Sequence, residues 1–297
     1  MASLTPDFTA VGDVDLRALA SADRLLIGLD FDGVLAPLQD DPATSRMLDG
    51  SSRAIARLSR IPGTRVALVS GRDAATLRRL ADPGPGVWLI GSHGAEVDFG
   101  ADGDVVSPIR GDSAAGSEVG APGAGEPAVQ DPPMLTPAEQ EMLEAIDSHI
   151  ATFEHTVPEH SDMEIRVEHK PFARTVHTRG LDQTFASDLH EHVVQVQKEH
   201  PGIRVIEGHD IVELSVKRAT KGDGMHILAE AFAPQATLYL GDDVTDEDAF
   251  AQLESVPGSV GIKVGPSPTR AGLRIADPEA VAELLLRLAE ERERLRS

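Results

Sequence analysis

Cysteine is missing altogether from the 297 residues. Its absence excludes disulfides, thiolate metal centres and a cysteine nucleophile. Aromatic residues are scarce, at 3% with one Trp and one Tyr, so the core has to be aliphatic, built of Leu, Val, Ile and Ala. Basic residues are outnumbered, 27 Lys and Arg against 49 Asp and Glu, for a formal charge of −22. So acidic a chain lacks the footprint that nucleic acid or an anionic membrane requires. An anionic ligand would have to be met by positive groups concentrated in one pocket. No apolar run nears the roughly 18 residues of a membrane span. Residues 1–23 contain neither the basic nor the apolar segment of a secretion signal. A soluble, cytoplasmic and monomeric protein, without nucleic-acid or membrane partners, is the expectation.

What is present is a succession of short apolar runs, each releasing polar residues at its carboxyl end. The length suffices for two domains with a substantial core. Residues 24–35, RLLIGLDFDGVL, predict a fully buried strand that delivers Asp30 and Asp32, with Gly33 straight after. In an open α/β sheet, ligands bind beyond the carboxyl ends of the strands. Two neighbouring acids there repel each other unless a cation or a proton-transfer role uses them. An Asx-turn ending the strand is the plain structural alternative. A second strand is predicted at 65–69, ending in Ser70-Gly71-Arg72, and a third at 87–90, running into Gly91-Ser92-His93-Gly94-Ala95-Glu96. Helices are predicted at 13–22, from N-caps Ser51 and Ser52 to residue 60, and over 74–81 behind an Asp73 cap. Strands alternating with helices at this spacing predict a doubly wound parallel sheet.

The rhythm breaks at 107–134, where Gly, Ala, Pro, Ser and acids predominate and no secondary structure is expected. Thr136-Pro137-Ala138-Glu139 is a capping box with proline at the first helical position, opening a helix to about residue 153. Strands at 163–169 and 173–179, a helix at 182–199 and a strand at 203–206 come next. This order predicts a smaller α/β domain, 103–209, inserted into the first. The core domain then comprises 24–102 and 210–297, with 1–23 as an N-terminal extension. It resumes with a strand at 211–216, and Lys221-Gly222 opens a helix to about residue 232. A strand at 237–240 ends in GDDVTDEDAF, and a strand at 259–264 and a helix at 278–296 close the chain.

The acidic string after Leu240 reads in three ways. It could be a solvated helix start, since acids favour helix N-termini. A calcium loop would need a glycine at its sixth position, which is missing. A hard-cation site shared with Asp30 and Asp32 is the third. Strand-DxDG, strand-SGR, KG at a helix start and strand-GDDxTDE, taken together, favour that third reading. The set resembles the haloacid dehalogenase superfamily of phosphotransferases. More narrowly it is similar to the trehalose-6-phosphate phosphatases, through residues 91–96, Val167-Glu168-His169-Lys170, Val176-His177-Thr178-Arg179 and the string 241–247. Val34, Thr178 and Thr220 depart from that family's commoner residues.

The resemblance implies a Rossmann-like, haloacid-dehalogenase-like core with the inserted unit as a cap that closes for chemistry and opens for release. It implies Mg²⁺ as cofactor and trehalose 6-phosphate as substrate, in trehalose biosynthesis. Asp30 would be the nucleophile that becomes an aspartyl phosphate, and Asp32 the acid–base group for the sugar oxygen and then for water. Ser70 and Lys221 would hold the transferring phosphoryl group. Asp30, Asp32 (through its carbonyl), Asp242, Asp243 and Asp246 would surround the Mg²⁺. Gly71, Arg72, His93, Glu96, Glu168, Lys170, Arg179 and Glu213 are candidates for substrate contacts, with loop geometry or solvated surface charge as the plain alternative. Trp88 and Tyr239 are expected in the core. Other readings are a phosphatase for sucrose phosphate or a glycosyl-glycerate phosphate, and a catalytically silent binding module. A dinucleotide-binding domain would need GxGxxG after its first strand.

Overall fold

The computed structural model describes residues 7–100, 105–106, 135–154, 165–208, 210–254 and 256–296. The stretch 107–134 and the start of the strand expected at 163 lie outside the described residues. The chain forms two compact units, Met1–Pro133 with Ala219–Ser297, and Met134–Arg218.

The first unit begins with α1 (Arg17–Ser21), β1 (Leu25–Leu29), α2 (Asp49–Leu58), β2 (Thr64–Val69), α3 (Ala74–Ala81), β3 (Trp88–Gly91), β4 (Glu96–Asp98) and β5 (Val105–Val106). The second unit holds α4 (Pro137–Glu154), β6 (Arg166–His169), β7 (Ala173–His177), α5 (Gln183–Val194), α6 (Val196–Glu199), β8 (Arg204–Gly208) and β9 (Ile211–Ser215). The first unit resumes with α7 (Lys221–Phe232), β10 (Ala236–Gly241), α8 (Asp246–Leu253), β11 (Val260–Val264), β12 (Leu273–Ile275) and α9 (Pro278–Arg296).

Eight strands form one sheet in the order β12-β11-β10-β1-β2-β3-β4-β5, parallel as far as β3 and antiparallel at the β4–β5 edge. Strands covered on both faces need near-continuous apolar runs, and β1, with all five residues buried, is such a run. Leu25, Ile27 and Leu29 share a core with Ile55 and Leu58 of α2 and with Leu284, Leu285 and Leu288 of α9. Leu26, Val69 and Ile90 share another with Met225 and Leu228 of α7 and Phe250 of α8. The chain steps from β1 to β2 and β3 on one side, then returns through β10 on the other. That reversal is the topological switch point at which open α/β sheets bind ligands. Leu29 is in register with both Leu68 and Leu240, so Asp30, Ser70 and Asp242 leave the sheet near one level.

The helices start where the sequence supplies caps. Asp73 accepts from the Thr76 N–H at 2.8 Å, and Thr220 with Asp223 closes a reciprocal capping box on α7. The Thr220 departure from the family pattern thus serves to start that helix. Helix α2 begins at Asp49 behind Leu48, two residues before the expected caps, and Ser51 is buried inside it. Residues 11–20 are not an appendage, because Val11, Val14, Leu16 and Leu19 join the core. Arg292 of α9, fully buried, holds them by donating to the Leu19 and Ala22 carbonyls at 2.8 Å and to Thr64 Oγ1 at 2.9 Å.

In the second unit, α4 lies against α5 and β7 over an antiparallel sheet ordered β6-β7-β9-β8. The Thr136–Glu139 capping box is present, with bonds of 2.8 and 3.2 Å. The helix expected over 182–199 divides at Gln195 into α5 and α6. A larger correction concerns residues 211–215, which pair with β7 and β8. They belong to the second unit, so the first resumes at Ala219 and not at 210. An apolar run reads alike whichever sheet receives it, and the tight hairpin that sets Gly208 opposite Ile211 decides the matter. No helix among the described residues is long and apolar enough to cross a membrane.

Candidate active site

Beyond the carboxyl ends of β1 and β10 the side chains close into a buried ionic cluster. Lys221, the first residue of α7, donates from Nζ to Asp30 Oδ2 at 2.7 Å and to Asp246 Oδ1 at 2.8 Å. A cation at a helix N-terminus works against the helix dipole, and Lys221 is only 2% exposed, so the two carboxylates must compensate it. Burial opposes the ammonium charge, yet Asp246 and Asp30 hold it above its ordinary range. Asp246 is pinned further, by the Tyr239 hydroxyl at 2.7 Å and by the Asp243 N–H at 2.9 Å. Burial works against its charge too, but Lys221, Tyr239 and Asp243 outweigh it and keep the carboxyl below the usual range.

Asp30 and Asp242 lack that degree of compensation. Burial raises Asp30 well above the usual carboxylate range, with Asp246 and Asp242 adding to it against the pull of Lys221. Burial, then the Asp246 charge, pushes Asp242 up to about 7. One carboxylate oxygen from each of Asp30, Asp242 and Asp246 lies within 4.8 Å of the others. Three acids outnumber the two ammonium groups near them, those of Lys221 and Lys263, and an all-oxygen donor set of this kind fits a hard divalent cation. Gly33 permits the approach: it adopts φ +74°, and a Cβ there would run into the Asp242 carboxylate.

Asp32 is held apart from these acids. Arg72 grips it from two nitrogens, Nε to Oδ2 at 2.6 Å and a terminal nitrogen to Oδ1 at 2.8 Å. Ser45 donates to the same Oδ1 at 2.9 Å. The Asp32 carboxylate is therefore not in the acid cluster, and neither is that of Asp243, which is exposed and caps its own turn by accepting from the Val244 N–H at 2.7 Å. Such local capping competes with any ligand role for an Asp in a turn.

Ser70 is buried just beyond β2, and its Oγ accepts from the Arg72 N–H at 3.2 Å. The turn around His93 braces it. Ser92 and His93 both take positive φ, +48° and +55°, and their N–H groups donate to the Arg72 and Ser70 carbonyls at 2.8 and 3.0 Å. The His93 ring covers Gly71 so closely that any Cβ there would collide with it. Glu96 accepts from Ser92 Oγ at 2.6 Å and from the Ala74 N–H at 3.1 Å, which makes it a brace for this turn and for the start of α3. Gly71, His93 and Glu96 are thus bound up with holding the turns beyond β2 and β3.

The remaining candidates lie in the second unit. Glu168, Thr175 and Glu213 are level across β6, β7 and β9. Glu213 accepts from Lys170 Nζ at 2.5 Å and from Thr175 Oγ1 at 2.8 Å. Arg179 stands apart, 3.4 Å from Asp210 at the far end of the sheet. Sequence reasoning missed Ser45, Thr175 and Lys263. Thr175 was open to detection, because strand pairing sets it beside two of the candidates.

The fold that places this acid cluster at the switch point of the sheet is shared with haloacid dehalogenase-like hydrolases of known structure. The C-terminal domain of trehalose-6-phosphate phosphatase from C. albicans superposes with a TM-score of 0.71 over 93% of this chain and 96% of that one, at 22% identity. A haloacid dehalogenase-like hydrolase from B. subtilis does so with a TM-score of 0.53 over 88% and 98%, at 14% identity. More narrowly, the family model described as trehalose-phosphatase matches residues 28–278. The trehalose-phosphate phosphatase of Mycobacterium avium (strain 104) is 31% identical over an alignment that covers 95% of this chain and 70% of the relative. The chain belongs to the trehalose-phosphatase family and is a phosphomonoester hydrolase.

Proposed function

We propose that the protein hydrolyses trehalose 6-phosphate to trehalose and inorganic phosphate, as a step of trehalose biosynthesis, through an aspartyl phosphate on Asp30. The observation that carries this reading is the buried Asp30–Lys221–Asp246 cluster with Asp242 beside it. Asp30 and Asp242 are the residues we assign to Mg²⁺, with Asp246 fixing the geometry around them. A divalent cation there supplies the charge that lets an anionic nucleophile meet a phosphate dianion.

In the first step the Asp30 carboxylate attacks phosphorus, and the bond from phosphorus to the sugar oxygen breaks. Asp32, which takes up a proton from solvent as it leaves Arg72, gives that proton to the departing alkoxide, which is otherwise a poor leaving group. In the second step Asp32 takes a proton from water, the resulting hydroxide attacks phosphorus, and Asp30 is released unchanged. Lys221 and Ser70 steady the phosphoryl oxygens throughout. Asp32 must leave Arg72 to deliver a proton, and an incoming phosphate dianion competes for that same guanidinium. Arg72 is therefore assigned to substrate phosphate as well as to Asp32.

In the second unit, Glu168 has the accessible carboxylate, with its side chain 41% exposed. It is our candidate for sugar hydroxyls, with Lys170 and Glu213 ordering the strand row around it. The test is phosphate release from trehalose 6-phosphate, sucrose 6-phosphate and glucose 6-phosphate, each with and without EDTA. Mg²⁺-dependent release with trehalose 6-phosphate clearly preferred is expected. Equal rates on all three would overturn the substrate assignment, and release unaffected by EDTA would overturn the metal assignment.

A further inference from the structure

A fully buried lysine needs a compensating arrangement. Lys263 is 1% exposed, stands on β11 in register with Gly241 of β10, and has no part in the reaction steps above. Its ammonium donates to the Asp243 carbonyl at 3.0 Å and lies 3.6 Å from Glu247 Oε1. Glu247, in the first turn of α8, accepts in turn from the Arg270 N–H at 2.9 Å. The lysine is thus clamped between the acidic turn and the helix after it.

The consequence falls on Asp242. No hydrogen bond to its carboxylate forms among the described residues. It is aimed by the backbone behind it and by the bare Cα of Gly33 in front. That backbone is fastened on both sides of the next residue. The Asp243 N–H is tied to Asp246 at 2.9 Å and the Asp243 carbonyl to Lys263. Loss of either bond lets the turn rotate and takes Asp242 with it.

We infer that Lys263 is a positioning residue which, through the Asp243 carbonyl, presets Asp242 opposite Asp30 for a divalent cation. The inference rests on the cation reading proposed above. Two properties of the ammonium act in opposite directions. As a charge it repels a cation arriving at the neighbouring acids. As a donor it holds a supporting shell, and a site left without one loosens. Removing it therefore tightens cation binding if charge dominates and weakens it if position dominates.

The sign of that change is measured by titrating Mg²⁺ alone, by calorimetry, into the metal-free full-length protein and its Lys263→Met variant. The expected result is a Kd at least tenfold weaker in the variant. At saturating Mg²⁺, the KM for substrate should stay within about twofold while kcat falls. Equal or tighter Mg²⁺ binding by a folded variant overturns the inference and leaves the metal assignment standing. No Mg²⁺ binding by the parent overturns both. If Lys263→Met does not fold, the lack of any other cysteine opens a second route. Lys263→Cys is alkylated with bromoethylamine while unfolded and then refolded, which restores an ammonium at nearly the same reach. Affinity within threefold of the parent supports the inference, and a refolded, ammonium-bearing protein still tenfold weak overturns it.

Discussion

The two polar clusters of this protein are built on opposite principles. In the second unit, the Glu213 carboxylate is paired with the Lys170 ammonium and accepts from the Thr175 hydroxyl as well. In the first unit, Asp30 and Asp246 share the ammonium of Lys221, and Asp242 is pushed up to about 7 by burial and then by the Asp246 charge, against the pull of Lys221 and Lys263. A cluster whose charges are paired holds its own side chains in place and can order what stands beside it. An unbalanced one is completed only by what binds to it, and that is the physical signature separating a site from a scaffold.

The comparison is most sharply broken at the nucleophile. Asp30→Asn should lower phosphate release by at least about 10⁴-fold while the unfolding midpoint stays near that of the parent, since the change removes charge from an over-acidic cluster. Activity near the parental rate would remove the covalent step. Next comes the dependence on pH and metal. The carboxyl of Asp242 titrates at about 7 in the folded protein against an ordinary value of 3.8, so the folded state holds a proton that the unfolded state has released. Its contribution to stability is complete below about pH 4 and declines as pH rises through 7. The oppositely shifted Asp246 is affected only below that window. In EDTA the thermal midpoint should therefore be lower at pH 8 than at pH 5, and saturating Mg²⁺ should remove the deficit. A midpoint indifferent to metal at pH 8 would contradict the imbalance.

Smaller effects sharpen the other side. Lys170→Met leaves Glu213 buried without its ammonium, with side-chain exposures of 11% and 4% for the pair. It should cost about 3 kcal/mol in a denaturant titration. Changing both residues to apolar ones of similar volume should recover most of that loss. Thr136→Ala, which removes only the cap of α4, should cost about 1 kcal/mol by the same measurement.

The same physics decides how much of this was readable from the chain. Strand ends are legible because a buried parallel strand must be an unbroken apolar run, so the polar residues at its carboxyl end stand out, as Asp30, Ser70 and Asp242 do, while Lys221 stands at the start of a helix. Caps were legible where the acceptor is local, as at Asp73 and Thr136. Roles fixed by partners distant in sequence were not. Arg72 reads as a candidate for substrate, but its grip on Asp32, 40 residues away, shows only in the fold, and Lys263 is one charge inside an ordinary strand until Asp243 lies over it. The boundary near 210 was misplaced because alternation does not reveal which sheet a strand will join. The short strands β4 and β12, of three residues each, carry too little pattern to stand out.

The pairing of β1 with β10 also has a bearing on how the protein comes into being. Asp30 is made early, yet the lysine that neutralises it arrives 191 residues later. During synthesis the central strand waits with one flank bare and its acid uncompensated while the whole second unit emerges. A newborn chain of this design therefore gains its chemistry only after α7 and β10 have emerged, and is most exposed to mispairing in the interval before β10 arrives.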